Sequence, residues 1–585
     1  MRKLVIVLVL LLLALPIPAR TATMPVPAVV TLGGGELVKL DIEMKQGSGQ
    51  VYISTEPLVG IQTQSSARIA FNVAGGLAGV NTSKYDMLVN LHDYGGAKSV
   101  DGPSGGAAMT LLMLSLLENK TVRGDLTMTG TIEKDGSIGE VGEVGKKTQA
   151  AVLGGMKVIL IPKNYDMFDK MVFSILGQRW NISIIEASNI TDAAELAFTP
   201  ESVTLQSNVM ETKPTIKTSM PRTNINCTSC YLQEFKQLAT KIMDGNAAIL
   251  EKLTKQNRSE FSYFLDAIES DLEQAADAVE SNYPYSGANS AFLIRINLNF
   301  LNESNITYKG LKSRMLDVGN CIKTAEKPQM TKENFEWVGG GEERLAWSRK
   351  KLGDIEKQNY SSDDEETTLF LFKELLTADS WCQVSHEMFS VAEKIGGTPV
   401  NETNLKELAS SRIEEADEKL KSFAGADFGD AGWRFEAARG ELGNDSFVAA
   451  VFDSDYLISA IKMLNESADE DSFLDEQFNK SWQWNGMWAA LYGNHAEYFY
   501  IRNKKGLGGA PSAMLLIIYA DNLNNDTVQM RELFENPVVE TTPPANVTAT
   551  TEIPADYQTE LALLLAICVI MAIFLNVVQF FKAEK

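Results

Sequence analysis

The sequence predicts an α+β domain, followed by a mostly α-helical ectodomain and a single transmembrane helix. Three observations carry that prediction. Over residues 24–200 short strand-like apolar runs are interleaved with longer helical stretches. From residue 231 the period changes: Leu232, Phe235, Leu238 and Ile242 recur three and four apart, as one face of a helix does. Residues 561–581 are almost continuously apolar, and a helix of that length reaches about 30 Å, the thickness of a bilayer core.

The elements follow in chain order. Met1-Arg2-Lys3 precedes an apolar run over residues 4–15, then Pro16, Pro18 and small residues, the pattern of a signal peptide over residues 1–22. Within residues 24–200, strands are expected at 37–44, 50–54, 87–92, 125–131 and 157–161, and helices at 64–72, 106–117 and 146–153. Residues 201–230, with Pro214 and Pro221 among many Ser and Thr, read as a linker. The helical ectodomain spans 231–536, with breaks expected at 281–290, Gly339-Gly340-Gly341 and Gly396-Gly397. Its Trp-rich stretch, residues 481–492, combines aromatic surface for sugar stacking with a helical context that favours core packing. A Thr/Pro-rich stalk occupies 537–556, the transmembrane helix 561–581, and a lysine-bearing cytoplasmic tail 582–585. This topology makes a single-pass cell-membrane protein with the bulk of its chain extracellular. Fifteen Asn-X-Ser/Thr acceptors, from Asn81 to Asn546, all lie between the two apolar ends and point to a glycoprotein.

A chain of 585 residues implies two to four domains. Its net charge of −23 argues against nucleic acid and anionic lipid as general partners. His92, His386 and His495 show no metal-ligand spacing, so neither a metal nor a cofactor is expected. The acidic run Asp363-Asp364-Glu365-Glu366 reads as a solvated face. Cys227, Cys230, Cys321 and Cys382 fall in the exterior part and Cys568 in the span. An oxidising exterior favours disulfides among the four, with three pairings open.

The chemistry concentrates in Asp101-Gly102-Pro103-Ser104-Gly105-Gly106 and in the pair Lys146-Lys147. The first is a glycine-flanked turn that lifts Ser104 onto the start of an apolar helix. A lysine can accept the serine proton only if it is neutral near pH 7. Burial and a helix N-terminus both disfavour the ammonium. Ser104 and Lys147 are therefore a candidate Ser–Lys dyad. Two other readings compete here. Gly139 to Lys147 is a near miss to a phosphate-binding loop, with five residues between its outer glycines instead of four and a second Lys where Ser or Thr belongs. Ser104 could also be a plain helix N-cap. The residues downstream decide against the latter.

Those residues are Val122-Arg123, Met128-Thr129-Gly130, Gly136, Val141-Gly142, Lys147, Ala150-Ala151, Gly155 and Val158 to Pro162, with Gly60, Gln64 and Ser66 upstream. In this order the chain resembles the proteolytic domain of the Lon family of serine peptidases, in its archaeal-type membrane-anchored form without an ATPase module. The resemblance covers residues 30–195. It implies Ser104 as nucleophile, Lys147 as general base and Thr129 as a hydroxyl that holds the lysine. His92 stands at the second histidine of the family's His-Val-His segment, but the first is Asn90 here, and the usual alanine after the serine is Gly105. The expected function is a membrane-anchored, ATP-independent serine endopeptidase acting on unfolded or flexible proteins and peptides, compatible with a homo-oligomer. Its rivals are a non-catalytic assembly protein and a peptidase that processes only itself.

Overall fold

A computed structural model describes residues 20–29, 34–54, 58–92, 99–209, 219–227, 230–256, 261–423, 426, 428–466 and 469–535. The first part, to residue 209, is built on two sheets. Strands β1 (Arg20–Val29), β2 (Gly35–Gln46), β3 (Val51–Ile53) and, after the short β4 (Leu58–Val59), β5 (Tyr85–His92) form a sheet of order β1-β2-β5-β3. In β2 Val38, Leu40, Ile42 and Met44 are buried while their neighbours are partly exposed. That alternation, the period of two of a half-buried strand, fixes the register of Met24, Leu40 and Leu91 across three strands. The second sheet is parallel. After β6 (Ser99–Val100) it takes β7 (Leu126–Met128) and, past the ribbon of β8 (Thr131–Ile132) and β9 (Ile138–Gly139), β10 (Val158–Pro162) and β11 (Ser183–Ala187), in the order β11-β10-β7. Every residue of β10 is buried, as a central parallel strand covered on both faces requires.

Five helices cover these sheets: α1 (Ile61–Leu77), α2 (Gly106–Glu118), α3 (Val144–Leu153), α4 (Met167–Trp180) and α5 (Ile190–Ala197). Helix α2 is buried from Gly106 to Leu116, so its run of Leu, Met and Ala needs no polar face. It ends at Asn119 in the left-handed conformation (φ 55°). The predicted strands and helices of this part are all present in outline, and α4, β11 and α5 join them. Two boundaries move. Strand β1 starts at Arg20, inside the segment expected as signal, because it pairs antiparallel with β2 from Arg20–Met44 to Val29–Gly35 and its Arg20 guanidinium donates to the Leu116 carbonyl at 3.4 Å. Part of the expected linker is also pinned. Ser207 donates to Ile184 O (2.6 Å), Asn208 bonds both backbone groups of Glu186, and Val209 is buried.

The remainder is helical: α6 (Leu232–Lys255), α7 (Ser262–Glu280), α8 (Pro284–Asn302), α9 (Tyr308–Thr324), α10 (Phe335–Lys357), α11 (Glu365–Ile395), α12 (Lys406–Lys421), α13 (Asp430–Gly443), α14 (Phe447–Glu466), α15 (Glu470–Phe478), α16 (Met487–Lys504) and α17 (Ala510–Glu535). Gly339-Gly340-Gly341 does not break a helix; it lies in the buried first half of α10. A Cβ on each would approach Val448, Trp488 and Phe389 to 2.2, 2.4 and 2.5 Å, so the glycines let three neighbours close on the helix. Gly396 (φ 56°) and Gly397 (φ 121°) do end α11. Trp484 and Trp488 are buried and Trp482 stacks on Trp484 at 4.8 Å, which settles that segment as core. The cysteines pair as Cys227–Cys230 and Cys321–Cys382, one of the three open arrangements.

One apolar core crosses from the first part into the second. Phe168, Val172 and Phe173 of α4 share it with Phe264, Phe300, Phe372 and Leu376. Phe168 meets Phe300 at 4.7 Å and Phe370 at 5.6 Å, ring to ring. Burying each such phenyl contributes about 2–3 kcal/mol, so the two parts are held by apolar burial as well as by polar contacts. Among the described residues no helix is long and apolar enough to cross a membrane. The expected stalk, transmembrane helix and tail, and residues 1–19, lie outside the described residues. Thirteen of the acceptor asparagines are described and none of them is buried.

Candidate active site

Ser104 sits in a 3-10 turn, Pro103–Gly105, immediately before α2. The turn is held from both sides. Asp101 Oδ1 accepts from Gly102 N (2.9 Å) and from Thr63 N in the first turn of α1 (3.3 Å), while Thr63 Oγ1 donates to Gly102 O (3.0 Å). Gly60 is required beside it, since a Cβ there would fall 2.0 Å from the Asp101 carboxyl carbon. Gly102 has φ 135°, a conformation side chains disfavour. On the other side Gly130 N donates to Ser104 O at 2.8 Å and Ala107 N to Gly130 O at 3.1 Å. Thr129, 1% exposed, adds its hydroxyl to the same Ser104 carbonyl at 3.4 Å.

The two adjacent lysines have opposite surroundings. Both begin α3, whose N-cap residue Glu143 is left-handed (φ 58°) and makes no side-chain cap bond. Lys146 turns outward and pairs with Glu143 Oε1 at 3.0 Å, and that hydrogen bond raises its pKa. Lys147 points inward and is 6% exposed, and among the described residues its ammonium has no counter-ion within salt-bridge distance. Burial lowers its pKa, opposed in part by the charges of Glu143 and Glu366. Proton acceptance by an amine demands that environment.

Among the described residues, Thr129 is hydrogen-bonded to the serine's backbone and not to Lys147. His92 ends β5 half-exposed, with Nε2 3.0 Å from Asp41 Oδ2. Cys321, Cys382 and His386 lie close enough together to suggest a metal, but the two cysteines are bonded to each other. The residue that sequence reasoning missed is Glu366. Its acidic run was expected to be solvated, yet Glu366 is 7% exposed and its carboxylate accepts from Gly145 N (2.7 Å) and Lys146 N (3.1 Å), 220 positions away from the latter. The signal available in sequence was Asp364 followed three positions later by Thr367, an N-cap pattern that starts a helix there.

The Lon protease (S16) C-terminal proteolytic domain matches residues 26–200. The Lon protease of Phenylobacterium zucineum is 30% identical over 171 residues, which is 28% of this chain and 21% of that protein. The Lon protease of Lawsonia intracellularis is 30% identical over 188 residues, 31% of this chain and 22% of its own length. That of Neorickettsia sennetsu is 32% identical over 176 residues, 29% and 20% respectively. The chain thus spans about a fifth of the length of these relatives. The likeness coincides with the two sheets, α1 to α5 and the Ser104 turn, the part of the chain that matches the Lon protease (S16) C-terminal proteolytic domain.

Proposed function

We propose that the chain is a serine endopeptidase in which Ser104 attacks the peptide carbonyl and Lys147 takes its proton. The observation that carries this reading is the buried Lys147, with no counter-ion among the described residues, beside an ion-paired Lys146. Attack transfers the Ser104 proton to Lys147 Nζ and forms a tetrahedral intermediate; the resulting ammonium protonates the amine as the C–N bond breaks, which leaves an acyl-serine. Water regenerates the serine with Lys147 again as base. The N-terminus of α2 next to Ser104 places partial positive charge near the developing oxyanion. Thr129 and Gly130, both bonded to the Ser104 carbonyl, fix the serine backbone.

In this reading the substrates are chains that are already loose, cut without ATP outside the cell by an enzyme tethered through residues 561–581. None of the thirteen described acceptor asparagines is buried, as glycosylation of an exterior protein requires. A purely structural role has less support, because assembly alone needs neither a buried lysine nor Ser104 on a constrained turn. Self-cleavage within residues 201–223 also has less support where Leu205, Ser207 and Asn208 are hydrogen-bonded along β11. The test is hydrolysis of unfolded casein by the purified chain with and without ATP, beside Ser104→Ala. Equal hydrolysis by wild type and Ser104→Ala would overturn the proposal.

A further inference from the structure

Helix α3 lacks a cap of its own, and the helical region provides one. The Glu143 side chain accepts from no backbone N–H of the first turn. In its place one carboxylate, that of Glu366, takes the N–H groups of Gly145 and Lys146. The next N–H is that of Lys147, which bonds Glu143 O at 3.1 Å. Gly145 is the residue that permits this approach, since a Cβ there would lie 2.5 Å from the Glu366 carboxyl carbon. Glu366 is itself placed by contacts that do not involve α3. Asp364 Oδ1 caps α11 at Thr367 N (2.9 Å), Glu365 binds Arg179 (2.7 Å) and Trp180 (3.1 Å) of α4, and Lys373 lies 3.9 Å from the centre of the Phe168 ring.

We propose that Glu366 is a positioning residue of the proteolytic site, a cap supplied by the helical region that holds the Lys147 helix in its working place. The inference rests on the reading of Lys147 as general base. It gives the helical region a part in catalysis: a proteolytic domain separated from it loses the cap on its lysine helix. The anion also acts through space, favouring the Lys147 ammonium against the burial that disfavours it. Other titratable and charged groups around this junction are Glu143 and Lys146 on α3, Asp364 and Glu365 on α11, Arg179 on α4, and Glu140, Tyr165 and Asp169. Burial raises the pKa of Glu366 itself, against its two N–H bonds.

The experiment measures kcat, KM and the pH profile of kcat/KM on an unstructured peptide for the full chain and its Glu366→Ala, Glu366→Gln and Glu365→Gln variants. Loss of an N-cap suggests a kcat roughly five- to thirtyfold lower in Glu366→Ala, with KM little changed. Glu366→Gln should move the acidic limb to lower pH, because the anion that favours the ammonium is gone. Glu365→Gln breaks contacts at the same junction without touching α3 and should leave the limb in place. Gly145→Ala, which forces the carboxylate away, should reproduce the loss in kcat and guards against a Glu366 variant that fails to fold. A limb that does not move in Glu366→Gln, or equal losses in the Glu365 and Glu366 variants, would overturn the inference by making Glu366 a docking contact only. The base reading fails separately, if Lys147→Ala keeps wild-type activity whatever the Glu366 variants do.

Discussion

Two buried lysines lie in neighbouring regions of the proteolytic domain and are equally hidden, each 6% exposed. Lys170 on α4 reaches Glu186 of β11 at 2.9 Å, and the pair neutralises itself in the interior. Lys147 on α3 has no such partner among the described residues; of the carboxylates at the start of its helix, Glu143 pairs with Lys146 and Glu366 is occupied by backbone N–H groups. The difference teaches that burial alone does not make a base. An ion pair offsets the burial of its charges, whereas burial without a partner drives an ammonium toward the neutral amine.

Substitution should separate the two sites by sign. Lys170→Met removes one partner and leaves a carboxylate buried without its counter-ion, so stability should fall by about 3–5 kcal/mol. Lys147→Met removes an amine whose burial already costs stability. Its pKa is lowered on folding, so the cost is absent above the unfolded value near ~10.4 and grows as pH falls toward the folded one. Thermal melts at neutral pH should therefore show Lys147→Met at least as stable as wild type, with hydrolysis abolished. Destabilisation by both variants would erase the contrast.

A smaller effect is expected at Thr129. Thr129→Val keeps the shape and loses the bond to the Ser104 carbonyl, which Gly130 N–H still holds, and hydrolysis should slow by roughly three- to tenfold without unfolding. An unchanged rate would reduce Thr129 to a packing residue. Smaller again is Lys146→Ala, which breaks an ion pair with the half-exposed Glu143. Exposed pairs contribute little, about 0.2–1 kcal/mol, so its activity should stay within roughly threefold of wild type. At the bottom of the scale, His92→Gln should leave the acidic limb of the pH profile unmoved, because His92 is paired with Asp41 at the end of β5. A limb displaced by His92→Gln would transfer the ionisation from lysine to histidine.

Sequence reached the proteolytic domain and the helical region to very different depths. The turn before Ser104, the strand end before Thr129 and the helix start at Lys147 were legible because local rules act there: a glycine turn, an apolar strand and a helix start each mark their own neighbourhood. The inward turn of Lys147 and outward turn of Lys146 are the expected consequence of adjacent helical positions pointing about 100° apart. What stayed hidden depends on distant chain. The Gly339 triplet looked like a break because nothing local shows that Val448, Trp488 and Phe389 press on α10. Glu366 looked solvated because its partners are N–H groups more than two hundred positions away. The start of strand β1 reads as signal in the sequence, since its pairing with β2 is a tertiary fact that small residues at 19–22 do not disclose.

The central claim is that Lys147 activates Ser104. The most direct measurement is the rate at which a serine-directed acylating peptide labels Ser104, followed by mass spectrometry as a function of pH in wild type and Lys147→Ala. The account predicts a single labelled site in wild type, with a rate that falls as pH drops through the lowered pKa of Lys147. It predicts labelling in Lys147→Ala that is slower by orders of magnitude and lacks that limb. Labelling of Ser104 at the same rate and with the same pH dependence in both proteins would contradict it.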